Sequence, residues 1–277
     1  MKNNILKYFI LLLSVLVISI VYLSTVGIET DKFNDQIKKR ILLINNKIDI
    51  DLKKIKLTLD PFKLKIYAKT VGTTVYFAKR PLALESIKTQ VSLSSLIKNN
   101  FSSSNIELKT KSILLNDLIK FIQTTTNKPE LFILEKIVKK GHVIIDLSLN
   151  IDENGKLKND YIIEGLIKDA SINFLDRANF KNINLNFNFQ KDNYHFDEIN
   201  FKAEEVNFIS KKLNIKKKKN SFLIDVIVEN DQSSLNSNIL KLLNLSFENI
   251  IIDDAKFKTN NKFSLEIDEK FKVKNII

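Results

Sequence analysis

The residues best suited to acid–base chemistry cluster around one of the two histidines. His195 lies in the segment Tyr194–Glu198, close to Asp197 and Glu198. On a strand, alternate side chains point to opposite faces, so Phe196 would lie across the sheet from His195 and Asp197. A general base needs a positioned partner within hydrogen-bond reach. A lone histidine among carboxylates in a polar hairpin is typical of a solvated surface, and we expect no catalytic role for it.

Other candidates for chemistry are weaker. His142 follows Gly141 at a predicted helix end, where an imidazole suits the terminal carbonyls. Asp253 and Asp254 are adjacent carboxylates without further oxygen ligands, and Ser102–Ser104 lacks the context of a nucleophilic serine. The chain has no cysteine and only five glycines, which excludes thiol chemistry and glycine-rich phosphate loops. We therefore expect no enzyme, no metal site and no cofactor.

The net charge of +12 comes almost entirely from lysine. The chain holds 41 lysines and only three arginines, Arg40, Arg80 and Arg177. Nucleic-acid readers rely on arginine for bidentate and stacking contacts. The chain is also rich in Ile, Asn and Phe, which AT-rich codons supply together with Lys. We therefore expect no nucleic-acid partner.

The N-terminus predicts a membrane anchor. No charged residue occurs from Tyr8 to Ile28, and these 21 residues would span about 31 Å as a helix, close to the hydrocarbon thickness of ~30 Å. Lys2 and Lys7 precede the run, which predicts a cytoplasmic N-terminus and an exported remainder. A cleaved signal peptide is the alternative. The length of the run and the poor cleavage site at Ser24–Gly27 favour an uncleaved single-pass anchor.

After the anchor the period of the apolar residues changes from helix to strand. Phe33, Ile37, Ile41 and Ile44 recur at three- and four-residue steps, which predicts an amphipathic helix within 30–47. From Ile48 onward alternation predicts strands. They are separated by turns, including one at Asp60-Pro61, and fall at 48–52, 55–59, 64–68, 73–78, 87–93 and 106–110.

A helical interlude near 112–141 interrupts the strands. An apolar stripe from Leu114 to Ile122, after a cap at Ser112, predicts one helix. A second helix is predicted to begin with Pro129 in its first turn and to end just before Gly141. We expect these two helices to cover one end of a sheet.

Strict alternation returns in the second half of the chain. One run is followed by a hairpin turn at Asp152–Gly155, and a later run alternates with asparagine. Further strands are predicted at 161–167, 171–174, 196–203, 206–208, 213–215, 222–228, 247–252, 256–259 and 263–267, with a short helix near 235–245. The apolar members of the two runs are the candidate lining of an apolar face: Val143, Ile145, Leu147, Leu149, Ile151, Ile183, Leu185, Phe187 and Phe189.

The pattern leaves two architectures open. Alternation gives each strand one apolar and one wet face, and the predicted helices are too few to cover the apolar one. The sheet either closes into a sandwich or barrel, or curls into a trough with an apolar lining. A closed sheet would suit a membrane-tethered scaffolding module that docks protein partners on its outer face. A trough would suit a ligand.

The succession of elements resembles the AsmA-like family. The likeness covers the N-terminal membrane helix, the amphipathic helix, the strands ending near Asp60-Pro61, and the strand-rich body. The stretch Lys79–Ile87, followed by Val91–Leu93, looks like an early segment of that family. Ala170–Phe174 and Ile183–Phe189 are similar to its repeated strand units.

The resemblance implies a fold and a function. The fold is mainly β: an N-terminal transmembrane helix (1–29), an amphipathic helix (30–47), and a long antiparallel, curved, taco-like groove (48–277). The function is the handling of phospholipid acyl chains in the periplasm of a Gram-negative bacterium, in support of outer-membrane biogenesis, with other envelope proteins as further partners. Members that bridge both membranes are several times longer. The resemblance therefore implies a short relative or the first part of a longer polypeptide.

One charge run adds a candidate contact. Lys216, Lys217, Lys218 and Lys219 are consecutive and predict a solvated hairpin tip. Their functional alternative is contact with anionic lipid headgroups, at about 1 kcal/mol per lysine.

Overall fold

The computed structural model describes residues 2–44, 46–63, 65–91, 103–126, 129–152, 158–174, 178–235, 239–240, 255–268 and 272–276. Over these residues the chain is mainly antiparallel β-sheet with a few helices, and the sheet is open and curved, as predicted. The chain divides into two compact units. The first holds residues 1–110 and 148–159, and the second holds 111–147 and 160–277.

The N-terminal apolar segment forms helix α1, Lys2–Thr25. Its window Leu6–Thr25 is long and apolar enough to span a membrane, or to serve as a signal sequence. Ser14, Ser19 and Ser24 each donate a hydroxyl hydrogen bond to the carbonyl four residues earlier, at 2.7–2.8 Å, which satisfies them without water. The helix ends three residues before the predicted limit, because Ile28 begins a strand.

Gly27 makes this early ending possible. It has φ of +74°, and a Cβ there would meet the carbonyl oxygen of Leu57 and lie 2.9 Å from Thr58 Cγ2. A glycine is therefore needed where the chain passes from helix into strand.

The first unit packs α2 against a small antiparallel sheet. Strand β3 lies between β1 and β4, followed by β6 and β7, while β5 pairs with β2 and with β6. The buried core is Phe33, Ile55 and Ala68, with Ile37 of α2 and Leu57 packed against it. The amphipathic helix is therefore confirmed. The elements are β1 (Ile28–Thr30), α2 (Asn34–Ile44), β2 (Ile48–Asp51), β3 (Ile55–Asp60), β4 (Lys65–Val71), β5 (Thr74–Phe77), β6 (Arg80–Val91) and β7 (Ser103–Thr110).

The second unit is a sequential antiparallel meander. Strands β9 to β16 neighbour each other in chain order, and among the described pairings β16 bonds only to β15, so that edge of the sheet is open. The elements are β8 (Ile113–Leu114), α3 (Leu115–Thr125), α4 (Pro129–Ile137), β9 (Val138–Asn150), β10 (Ile162–Phe174), β11 (Ala178–Gln190), β12 (Asn193–Ala203), β13 (Val206–Lys217), β14 (Ser221–Ser234), β15 (Lys256–Asp268) and β16 (Val273–Ile276). The last three residues of β9 belong to the first unit.

The helical interlude differs from its prediction at both ends. Leu114, not Ser112, is the N-cap residue of α3, and no side chain caps it, because Ile113 and Leu114 pair with β9. Helix α4 stops at Ile137, so Gly141 and His142 lie inside β9 rather than at a helix end. Gly141 has φ of +140°, and a Cβ there would lie 2.8 Å from Ala170 Cβ.

Three predicted pairs of strands are single long strands. β10, β13 and β15 each run through polar residues that had suggested a turn. Register shifts occur in β10 between Ile167 and Ile172, and between β13 and β14 after Ile209. Such bulges absorb the extra residues and let the ladder continue while bending the strand. The predicted turn at 153–155, most of the helix at 235–245 and the strand at 247–252 fall outside the described residues.

Candidate functional site

The strand register of the second unit aligns apolar side chains into a row. Directly opposed residues of an antiparallel pair share a face, and the pairing continues from β10 to β16 without losing apolar character. We call this the first row: Ile163, Phe189, Tyr194, Ile215, Ile224, Leu265 and Ile276. Six strand spacings of about 4.8 Å give it a length of roughly 29 Å.

A parallel second row lies two residues along each strand. It runs from β10 to β15 and consists of Gly165, Phe187, Phe196, Leu213, Val226 and Phe263. The two rows together form what we call the apolar face. Aromatic rings join them, because Phe189 lies 5.0 Å from Phe187 and 5.3 Å from Phe196, between ring centroids. A further stacked pair, Phe201 and Phe208 at 5.4 Å, lies farther along the same strands.

The apolar face is only partly covered. Phe187 is buried at 7% exposure, whereas Phe263 is 45% and Ile276 76% exposed. The other members of both rows are half-buried. A sealed core would bury side chains of this kind. The described part of the second unit therefore presents a band of apolar surface that neighbouring side chains cover only in part.

The opposite face of the same strands is a polar ladder. Asn188 Nδ2 donates to Glu164 Oε1 at 2.5 Å, and Ser264 Oγ donates to Asp225 Oδ1 at 2.5 Å. Between them His195 Nδ1 and Asn214 Oδ1 are 2.6 Å apart. The ladder gives cross-strand hydrogen bonds to a face that is exposed to water.

The candidate catalytic pair is not assembled. His195 is paired with Asn214, while Asp197 accepts a hydrogen bond from Asn186 Nδ2 at 3.1 Å. Both side chains are exposed. Within the described residues no group of three His, Asp or Glu side chains is placed to hold a metal ion. Asp253 and Asp254 lie outside the described residues.

The predicted lining residues are brought together in part. On β11, the side chains of Phe187 and Phe189 join the apolar face, and Ile183 and Leu185 are half-buried on the same strand. On β9, Val143 is buried at 1% exposure opposite Ile113. Ile145 and Leu147 are half-buried in the second unit, and Leu149 and Ile151 are half-buried in the first.

The face also contains residues that sequence reasoning did not select. Ile215, Ile224 and Leu265 were assigned to strands but not to a lining, and Tyr194 was assigned to a polar hairpin. Their alternation was the available signal. The missing information was the register, because only the pairing shows that they continue the row of Phe189.

The lysine run lies along one side of the apolar face, at the tip of the β13–β14 hairpin as predicted. Lys217 follows Ile215 on the same side of β13 and pairs with Phe222, whereas Lys216 lies on the polar side opposite Leu223. All four lysines are exposed. Lys218 Nζ is 3.5 Å from Glu266 Oε2. The Ser221 hydroxyl, which donates to Glu266 at 2.6 Å, and the Lys218 ammonium lower the pKa of that carboxyl.

Two tyrosines lie along the same side of the apolar face. Burial raises the pKa of Tyr194, and the nearby Tyr161 and Asp192 raise it further. Tyr194 therefore keeps its hydroxyl proton and remains a hydrogen-bond donor. Its ring packs on Phe189 at 5.4 Å. Polar groups thus lie along this side of the first row: tyrosine hydroxyls, the Asp192 carboxylate and the Lys217 ammonium.

A cleft of about 210 Å³ lies elsewhere, near β13–β15, and its lining includes Asn230, Thr259, Glu229 and Lys258. Asn230 is buried, and its Oδ1 accepts from Thr259 N at 2.8 Å and Thr259 Oγ1 at 2.6 Å. These polar groups satisfy each other at a register shift of β14. The cleft is polar and does not extend the apolar face.

Comparison of the chain with protein-family models, with curated proteins and with solved structures returned no match. The likeness to the AsmA-like family therefore rests on the sequence pattern alone.

Proposed function

We propose that this chain is an inner-membrane-anchored periplasmic protein that holds phospholipid acyl chains against its apolar face and supports outer-membrane biogenesis. The single observation that carries this proposal is the first row, which crosses seven strands in continuous register and is half-buried from Ile163 to Leu265. The role is one of binding rather than catalysis.

The energetics favour such a surface for lipid. Each methylene exposed to water costs about 0.8 kcal/mol, so a chain of about sixteen carbons costs on the order of 12 kcal/mol in water. A carrier must offer apolar contact along the whole chain. The first row, at roughly 29 Å, is about twice the ~15 Å that one acyl chain occupies in a leaflet of a ~30 Å bilayer core.

The chemistry of the row suits flexible chains rather than a rigid ligand. Its members are aliphatic and aromatic side chains that are half-buried except for Ile276, and the polar groups lie along one side of it and on the opposite face. Fixed polar groups inside a pocket would select the orientation of a small molecule. Acyl chains need none, since their only requirement is exclusion of water.

The test is photocrosslinking at matched positions on β13 and β12. A photoreactive phenylalanine analogue replaces Phe196 or Leu213 on the apolar face, and Asp197 or Asn214 on the polar face, in the full chain expressed in cells. We expect phospholipid adducts, detected by mass spectrometry, only from the apolar positions.

Equal labelling from both faces, or protein adducts alone from Phe196 and Leu213, would contradict the proposal. Protein adducts would support a tethered scaffolding module instead. Phospholipid that co-purifies with the wild-type chain and is lost in Ile224→Asp would be an independent confirmation.

A further inference from the structure

The β3–β4 turn of the first unit carries the most exposed large apolar side chain of the described residues. Phe62 is 97% exposed, while the core residues of the same unit, Ile55 and Ala68, are buried at 3% and 4%. A phenylalanine ring left in water forgoes the hydrophobic stabilisation that burial would give it. The Phe62 ring at this loop tip is therefore available for a contact outside the unit.

The turn is rigid. Asp60 Oδ1 accepts hydrogen bonds from the backbone N–H groups of Phe62, at 3.1 Å, and Lys63, at 3.0 Å. This Asx-type arrangement holds the turn with its own side chain. Phe62 is therefore held out in water by a formed turn.

The register places this tip beside the end of α1. Strand β1 pairs with β3 so that Ile28 is opposite Leu57, Glu29 opposite Lys56 and Thr30 opposite Ile55. Helix α1 also packs against β3. Beyond Leu57, β3 continues to Asp60 in the direction of α1, whose apolar window ends at Thr25. Residues beyond Asp60 project back along the helix.

The surroundings of the tip suit a lipid headgroup layer. Lys63 in the turn and Lys65 at the start of β4 are exposed directly after Phe62, and Tyr22 of α1 is also exposed. Tyrosine and aromatic rings are enriched where a membrane meets water, and lysines near an anionic surface add about fivefold each to binding.

We infer that the β3–β4 turn, with Phe62 at its tip, dips into the lipid headgroup layer of the bilayer that α1 crosses. The inference rests on the part of the proposed function that places α1 in a membrane, and it is independent of lipid binding on the apolar face. A second contact beside the anchor fixes the orientation of the first unit, since a single helix leaves it free to swivel and tilt.

The chain has no tryptophan, so single substitutions report on one site. Phe62→Trp is compared in the full chain with Val71→Trp, at the far end of β4 and 59% exposed, about 20 Å from the turn at ~3.4 Å per residue. Leu12→Trp reports on α1. Each variant is reconstituted in vesicles of phosphatidylcholine and phosphatidylglycerol that carry bromine at shallow or deep acyl positions.

We expect Trp fluorescence of Phe62→Trp to shift to shorter wavelength and to be largely lost with shallow bromines, while Val71→Trp keeps water-like, unquenched emission. Quenching of Leu12→Trp by deep bromines shows that α1 is inserted. If Leu12→Trp is quenched and Phe62→Trp is not, the inference is wrong and the anchor stands. If neither is quenched, the anchor fails as well. A shifted but unquenched Phe62→Trp indicates a protein partner and also overturns the inference.

Discussion

Gly165 illustrates how the apolar face depends on single residues. It lies in β10 opposite Phe187, at the start of the second row. A Cβ at this position would lie 2.5 Å from Phe187 Cζ and would collide with the carbonyl oxygen of Ile144. A ring can rotate away, whereas a carbonyl in a strand is held by its backbone. Because Gly165 has no side chain, the Phe187 ring can pack against the backbone of Gly165 and become buried.

We predict that Gly165→Ala destabilises the protein by about 1–3 kcal/mol, the usual cost of overpacking. Thermal unfolding of the full chain in detergent, followed by the β-sheet circular dichroism signal, measures the effect. Lys168→Ala, at an exposed position of the same strand, is the control and should unfold like wild type. Adding Phe187→Leu relieves the ring contact but not the carbonyl contact, so part of the loss should remain. An unchanged midpoint for Gly165→Ala would show that β10 adjusts freely.

At the scale of elements, the sequence predicts which segments form helices and strands better than it predicts the register between the strands. Alternation of apolar residues with Asn184, Asn186 and Asn188 specifies β11, because a strand has a period of two. The three- and four-residue spacing from Phe33 specifies α2 in the same way. The register that sets Phe189 opposite Tyr194 follows from the tight turn that pairs Gln190 with Asn193. The register that sets Ile224 opposite Leu265 follows a long connection between β14 and β15, and no local pattern encodes it.

Strand β6 begins earlier in the chain than predicted. The strand was expected to begin at Ile87, whereas it begins at Arg80 and includes Pro81 opposite Tyr76. A proline lacks the N–H that a ladder uses, so it is tolerated near the first residue of a strand. The sequence supplied the alternation of Leu82 and Leu84 after it. The prediction of a strand from Ile87 therefore missed the first seven residues of β6.

Strand alternation also makes a prediction about the lysine tip. Lys217 continues the apolar side of β13 and Lys216 its polar side, so Lys217→Glu and Lys216→Glu change net charge equally on opposite faces. A lysine beside an acyl-binding surface favours binding of an anionic headgroup over a neutral one by about 1 kcal/mol, or about fivefold in affinity. We expect Lys217→Glu to remove a preference for pyrene-labelled phosphatidylglycerol over the matching phosphatidylcholine, measured by fluorescence titration. Lys216→Glu should keep it. Equal losses would mean that the charges act only at long range.

On the scale of the whole molecule, charge and hydropathy favour one placement. The apolar helix has Lys2 and Lys7 before it, and Glu29, Asp31 and Lys32 directly after it. Positive residues near an apolar span remain on the cytoplasmic side. In the proposed placement, the lysine-rich remainder of the chain therefore lies on the opposite side of the membrane from Lys2 and Lys7. Anchor, apolar face and lysine tip are consistent with a protein that works on lipid next to the membrane that holds it.

This placement predicts the labelling of single cysteines, for which the cysteine-free chain is well suited. In cells with a permeabilised outer membrane, Lys219→Cys at the exposed β13–β14 turn should react with a membrane-impermeant maleimide. Asn4→Cys, before the apolar span, should react only after lysis. The reverse pattern would show that the chain is inserted in the opposite orientation. The intact mass separates anchor from signal peptide, because a retained helix keeps the chain at 32.0 kDa, whereas cleavage removes the Asn4→Cys site together with α1 and leaves a lighter protein that no bilayer crossing holds in place.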